Sequence, residues 1–255
     1  MHTTEGVFGG VFDAHDSDME VTVMYTSAVE GSMAYGFDLT KVTLSRFKDE
    51  IKTAYLIPSM GMLRENIDKQ FDVIESEGVK TVSDLGKRLA NQQKTEACAV
   101  HTGIDVAYLT ALRRLVSSYK PKPRNLAEFP DIGDALLRAM ANQGLKTSKT
   151  LFEYLQAEDP RDAQGRLGIS ETELHHVRAV MEVTQLRYVS PLFATAMVKS
   201  GHDSIAAVAG SERTQILKAL ITVNEEQNIY KGNIGDTDVQ FLIDDARFFL
   251  SIQRL

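Results

Sequence analysis

From about residue 40 onward, apolar residues recur three and four positions apart, the spacing that lines one face of an α-helix. Leu44, Phe47 and Ile51 form the first stripe, with Tyr55 extending it and Pro58 ending it. Ile67, Phe71 and Ile74 form the second, stopped at Gly78. Thr81 and Asp84 have the spacing of a capping box with Asp in the acid's place, and Val82, Leu85 and Leu89 make the stripe that follows. A polar break over residues 91–95 leads to a short helix over 97–100, and Gly103-Ile104-Asp105 opens a helix with Leu109, Leu112 and Val116 inward. Leu136, Leu137 and Met140 form a stripe stopped by Gly144, and Leu151 and Leu155 continue the pattern. A polar loop is predicted over residues 158–166, which hold Pro160 and Gly165. Ser170 and Glu173 make a capping box ahead of Leu174, Val177 and Met181. Phe193 and Val198, then Ile216, Leu217, Leu220 and Val223, then Val239, Ile243, Ala246 and Phe249 predict the remaining helices.

Before residue 40 the pattern differs. Val7-Phe8 and Val11-Phe12 flank Gly9-Gly10, a hairpin-turn pattern, and residues 19–25 alternate with β-branched residues as a strand does. These predict a small β-containing N-terminal extension, with a disordered or partner-ordered arm as the alternative. Strands so few are not stable alone and must pack on the helices or on another chain.

The helical pattern repeats. Gly-Val-Lys-Thr at 78–81 matches Gly-Leu-Lys-Thr at 144–147, and Gly103-Ile104-Asp105 matches Gly168-Ile169-Ser170 at nearly the same separation. Each glycine follows an apolar helix and suits the left-handed stop position, with a polar N-cap behind it. A weaker third copy runs from Val189 through Gly201 to Ser204-Ile205. Units of this size cannot bury a core singly and must stack.

At Pro130-Asp131-Ile132-Gly133, followed by Gly144-Leu145-Lys146-Thr147, the chain resembles the helix-hairpin-helix superfamily. Gly133 matches the second hairpin glycine and Gly144 the glycine that ends the second helix. Residues 129–250 as a whole look like a bacterial family of unknown function built from tandem helix-hairpin-helix units. The resemblance, which covers about half the chain, implies tandem helix-hairpin-helix repeats; together with the patterns above it gives a mostly α fold with a small β-containing N-terminal extension. The chain then reads in four parts. Residues 1–58 are a β-containing or partly disordered extension plus a helix, and 59–118 a first, divergent helical-hairpin unit. Residues 119–128 are a Pro/basic linker, and 129–255 the tandem domain with units two and three. The superfamily also implies DNA binding through the phosphate backbone, using hairpin N–H groups at a helix N-terminus. Here Asp131 takes the first glycine position and Asp134 follows the second, and two carboxylates repel a phosphate.

The formal net charge is −7, which argues against a general polyanion binder. A single cysteine, Cys98, rules out an intrachain disulfide, and it reads as a buried structural thiol with no His or basic residue beside it. No signal peptide or membrane-spanning run is read, so a cytoplasmic location is expected. Asp13, His15, Asp16 and Asp18 read as an acidic turn rather than a metal site. His175 and His176, being adjacent, point about 100° apart on a helix and do not share a metal. His101 and His202 have no partner at ligand spacing, and Asp244-Asp245 read as a solvated face of the last helix. No Gly-rich phosphate loop, nucleophile elbow or metal-binding helix motif is present, so no cofactor is expected. The densest positive run is Lys120, Lys122 and Arg124, which with Arg113 and Arg114 at the end of the preceding helix is the candidate contact for nucleic acid or an acidic partner. Gly78, Gly103, Gly133, Gly144, Gly168 and Gly201 are assigned to turns and helix stops. The expected function is a non-enzymatic protein-interaction or scaffold module that binds a protein partner or itself, with backbone-directed nucleic-acid binding as the alternative.

Overall fold

The computed structural model describes residues 34–231 and 234–254, and among these the regular structure is helical. The predicted hairpin and strand, and the acidic turn at Asp13 to Asp18, lie outside the described residues. The helices are α1 (Leu44–Thr53), α2 (Ile67–Ser76), α3 (Val82–Arg88), α4 (Gln92–Thr102) and α5 (Val106–Ser118), followed by α6 (Asp134–Asn142), α7 (Ser148–Ala157), α8 (Pro160–Leu167) and α9 (Glu171–Val183). The last four are α10 (Pro191–Lys199), α11 (Ile205–Gly210), α12 (Arg213–Gln227) and α13 (Asp236–Gln253), and short 3-10 turns occupy Pro58–Arg64 and Leu126–Glu128.

Local chemistry sets most of these boundaries. Thr43, Thr81, Asn91, Asp105, Thr147, Ser170, Ser190 and Ser204 each cap a helix by accepting a hydrogen bond from a first-turn N–H. At Ser170 the capping box is complete, with Glu173 Oε2 accepting from the Ser170 N–H at 2.8 Å. Gly78, Gly103, Gly144, Gly168 and Gly201 all have positive φ. At Gly144 the turn is a Schellman stop: the Leu145 N–H reaches back to the Met140 carbonyl at 2.9 Å. Gly133 differs. Its φ of −72° is extended backbone that any residue adopts, and it serves as the N-cap of α6.

Two stretches read as polar breaks are helical. Residues 158–166 contain most of α8, which Asp159 caps and Pro160 opens at the first helical position. Only Ala163 and Leu167 of that helix are buried, so its sequence carries almost no apolar stripe. Residues 91–95 start α4, with Asn91 as its cap. Arg113 and Arg114 lie in the body of α5 rather than at its end, because the helix continues to Ser118.

Two backbone bridges tie loops to helix starts. Leu44 N–H donates to Lys80 O at 3.1 Å and Val82 N–H to Val42 O at 2.9 Å. Leu126 N–H donates to Lys146 O at 3.2 Å and Ser148 N–H to Arg124 O at 2.8 Å. At the start of α11 the corresponding acceptor is a side chain: Ile205 N–H donates to Glu182 Oε1 at 2.9 Å. Burial pushes the Glu182 carboxyl above its ordinary value.

One hydrophobic core runs from Phe37 to Ile252. A strap, residues 35–37, bent at Tyr35 and Gly36, crosses it. The Tyr35 hydroxyl bonds Ser148 Oγ at 2.7 Å, Gly36 N–H donates to Gln185 Oε1 at 2.8 Å, and Phe37 packs edge-on to Tyr119 and Phe249. Gly36 has φ +88°, and a Cβ there would lie 2.5 Å from Cδ of Pro121. The Pro/basic stretch is therefore packed against the strap on one side, with Tyr119 fully buried at its start.

Candidate functional site

Five segments converge on an aromatic groove of about 400 Å³. The link after α1 supplies Tyr55 and Ile57, and the α9–α10 loop supplies Arg187, Tyr188, Val189 and Ser190. Phe193 comes from α10, Tyr230 and Ile234 from the segment after α12, and Asp238, Phe241 and Leu242 from α13. Asn224 fixes Tyr230 in place, donating from Nδ2 to Tyr230 O and accepting from Tyr230 N–H, both at 2.7 Å. The rings form two groups, Tyr55 to Phe241 at 6.3 Å with Tyr188 to Phe241 at 5.6 Å, and Phe193 to Tyr230 at 5.6 Å between centroids. Tyr188 is 64% exposed and Tyr55 42% exposed, so the apolar faces are open to solvent rather than sealed in the core.

Arg187 lines the groove and is held from behind by a buried ion pair. Arg187 and Asp245 are both buried, their side chains hydrogen-bond through Nε and Oδ1, and Asp245 Oδ2 accepts from the Arg187 N–H at 2.7 Å. The guanidinium lies 4.0 Å from the centroid of Tyr119 and 4.8 Å from that of Phe241. Burial pushes the Asp245 carboxyl up, against the pull of Arg187, and the Asp245 charge holds the guanidinium above its ordinary value. Asp245 was expected on a solvated face and is instead wholly buried. Its position explains why. It stands three residues after Leu242 and four before Phe249, on the apolar stripe of α13.

Tyr188 has φ +62°, left-handed backbone that a bulky residue adopts at a cost of about 1–2 kcal/mol. Its neighbours hold it there. The Arg187 N–H is fixed by Asp245, and the Val189 N–H donates to Leu186 O at 3.4 Å. The ring consequently stands outward on a ridge.

Across that ridge lies a second cavity, of about 180 Å³, which shares Arg187, Tyr188 and Val189 as its wall. Lys120, Lys122 and Arg124 line it together with Ser117, Ser118 and Pro121. These three cations are exposed, and among the described residues none lies within 4.0 Å of a carboxylate. The structure thus gathers three of the five candidate basic residues. Arg113 and Arg114 do not line the cavity, and Arg113 donates to Gln92 Oε1 at 3.2 Å.

The remaining polar candidates are engaged elsewhere. Asp131 pairs with Lys199 at 2.9 Å and His176 at 2.8 Å, while His175 faces Asp203 and His101 pairs with Glu77. Burial lowers the pKa of His202. Cys98 is buried, but the cavity beside it is lined by Lys87, Arg88 and Lys94, basic neighbours that sequence adjacency did not reveal. Glu50 lines a further cavity with Arg46, Asp49, Asp244 and Arg247, and burial pushes its carboxyl up to about 7. Among the described residues no three His, Cys, Asp or Glu side chains gather closely enough to hold a metal, and no helix is long and apolar enough to cross a membrane.

The aromatic groove itself escaped the sequence reading. Its rings come from segments far apart in the chain, and no local spacing brings Tyr55, Tyr188 and Phe241 together. Compared with known protein families, with curated proteins and with solved structures, the chain matches none.

Proposed function

We propose that this chain is a non-enzymatic interaction module, built from tandem helix-hairpin-helix units, that binds a partner protein through the aromatic groove. The observation that carries the reading is the open ring surface of Tyr55, Tyr188, Phe193, Tyr230 and Phe241 with a closed ion pair behind it. Exposed aromatic surface of this kind is what protein-binding hot spots are made of. Three of the polar groups around it already have structural partners. Ser190 caps α10, Asp238 Oδ2 accepts from Gly235 N–H at 3.0 Å, and Arg187 is held by Asp245. That arrangement favours binding over bond-making chemistry.

The repeat reading is supported by the matched backbone bridges at Thr81 and Thr147, where the same two hydrogen bonds form around the same Lys-Thr pair. It is further supported by the positive-φ glycines at 78 and 144 and at 103 and 168. In the third unit, Glu182 supplies from a side chain the acceptor that the other two take from a backbone carbonyl.

The test is a photo-crosslinking amino acid placed at Tyr188 in the producing cell, compared with the same label at Val100, which is 88% exposed on α4. A discrete adduct at Tyr188, absent at Val100 and suppressed by Ile57→Asp, is expected. Equal labelling at both positions would refute the reading.

A second reading, nucleic-acid binding, is favoured by the cluster of Lys120, Lys122 and Arg124 without carboxylate partners. It requires binding to duplex or single-stranded DNA that weakens steeply with salt and disappears when the three residues are changed to Ala.

A further inference from the structure

We infer that the aromatic groove and the basic cavity across the Tyr188 ridge are two halves of one site for an acidic linear peptide. An aromatic or large aliphatic side chain packs against the exposed ring surface of Tyr188 and Phe241. Asp or Glu side chains of the same segment meet Lys120, Lys122 and Arg124. This rests on the groove being an interaction site and adds the chemistry of what occupies it.

Geometry joins the halves. Arg187, Tyr188 and Val189 wall both cavities, so a segment leaving the aromatic side reaches the basic side within a few residues at about 3.3 Å each. The larger half, about 400 Å³, lies at the low end of the roughly 300–1,000 Å³ of ligand sites and suits one bulky side chain rather than a folded domain.

Charge selects the occupant. Some surface cations have carboxylates beside them, such as Lys48 and Lys52 at Asp68 and Arg88 at Glu77, and others, such as Lys69 and Lys146, have none among the described residues; what sets the three apart is that they gather on one cavity. Lys120, Lys122 and Arg124 stand together without one among the described residues, on a chain whose net charge is −7. A local positive excess on an acidic protein attracts a short acidic segment. In the aromatic half Asp245 cancels Arg187 and the rim carries Asp238, so the acids of the bound segment lie toward the basic half.

A nucleic-acid strand fits less well. Strand-binding grooves carry cations along the path of the backbone, beneath the bases they stack. Here the cations sit at one end only, and the exposed rim of the aromatic half carries Asp238.

The test is selection from a random-peptide display library on the full chain, followed by fluorescence anisotropy of a synthetic peptide bearing one Phe followed by Asp and Glu. Oligo(dT) and a Gln/Asn version of the peptide serve as comparisons. Enriched sequences should pair an aromatic or Leu with nearby acids. The acidic peptide should bind about tenfold more weakly to the Lys120→Ala, Lys122→Ala, Arg124→Ala triple variant. It should bind about thirtyfold more weakly to Tyr188→Ala. Circular dichroism establishes that both variants are folded.

The outcomes separate the two claims. If the Gln/Asn peptide binds as well as the acidic one and the triple variant is unaffected, the groove stands as an interaction site and the acidic assignment fails. If selection yields no enrichment over the Tyr188→Ala protein, both fail. If oligo(dT) binds more tightly than any selected peptide, the site belongs to nucleic acid.

Discussion

Replacing Asp245 with Asn should destabilise the protein by about 3 kcal/mol. Asn keeps the size and one acceptor for the Arg187 N–H, which Asp245 now holds at 2.7 Å. What is lost is the charge opposite a guanidinium whose side chain is 3% exposed. Removing one member of a buried pair typically costs about 3–5 kcal/mol, because the other is left uncompensated. The faces of Tyr119 and Phe241, 4.0 and 4.8 Å from the guanidinium, offset about 1 kcal/mol of that. The chain has no Trp, so urea unfolding is best followed by far-ultraviolet circular dichroism. With a denaturant slope of about 2–3 kcal/mol per molar, the midpoint should fall by about 1–1.5 M. The companion variant removes both charges, Arg187→Met with Asp245→Leu, and should recover most of the loss, since apolar replacements of buried pairs are often neutral. A midpoint shift below about 0.3 M for Asp245→Asn, or a double variant as unstable as the two single losses added, would refute the reasoning.

Further outcomes follow from other contacts. Gly36→Ala should cost at least about 3 kcal/mol and Gly144→Ala only about 1, measured by the same unfolding assay. Both have positive φ, but only at Gly36 would the new Cβ meet a ring, at 2.5 Å from Pro121 Cδ. Equal costs would mean that the strap is not pressed on Pro121. Glu50, raised from 4.5 to about 7, binds more protons folded than unfolded between those values. Its contribution to stability therefore falls as pH rises through that window. The difference in unfolding free energy between Glu50→Gln and the parent should grow in favour of the variant from pH 4.5 to 7.5, by about 1–2 kcal/mol after solvent screening. A flat difference would contradict it. Glu182→Gln keeps an acceptor for the Ile205 N–H and removes a carboxylate that burial disfavours, so it should be neutral or stabilising at pH 7. Glu182→Ala should lose about 1–2 kcal/mol, and a reversed order would show that the charge itself is needed.

The helices were legible wherever an apolar stripe and a cap agreed. Thr81, Ser170 and the glycines at 78, 103, 144 and 168 mark real boundaries because caps and stops act within one turn of chain. The helix α8 was not legible: its two inward residues, Ala163 and Leu167, are too few to show a period. Asp245 could have been read. A carboxylate on the stripe of Leu242, Phe249 and Ile252 announces a buried partner, although only the fold could name Arg187. Of the site, the basic half was visible as a run of cations at every second residue from 120 to 124. The aromatic half was invisible, because Tyr55, Tyr188, Tyr230 and Phe241 belong to separate segments and meet only in three dimensions.

The strap of residues 35–37 has a consequence for how the chain folds. Stacks of helical units usually nucleate anywhere and lengthen unit by unit, and their ends fray independently. Here Phe37 rests on Phe248 and Phe249 of the last helix, so the first described segment has no finished binding surface until that helix has been made. Contacts between such distant positions raise the loop-closure entropy that must be overcome before any reward is gained. On the ribosome, the early helices must therefore wait with Tyr119, which packs on Phe248, partly uncovered until α13 emerges. Folding should then finish in one late, concerted step, and deleting α13 should unravel the beginning of the fold as well as its end.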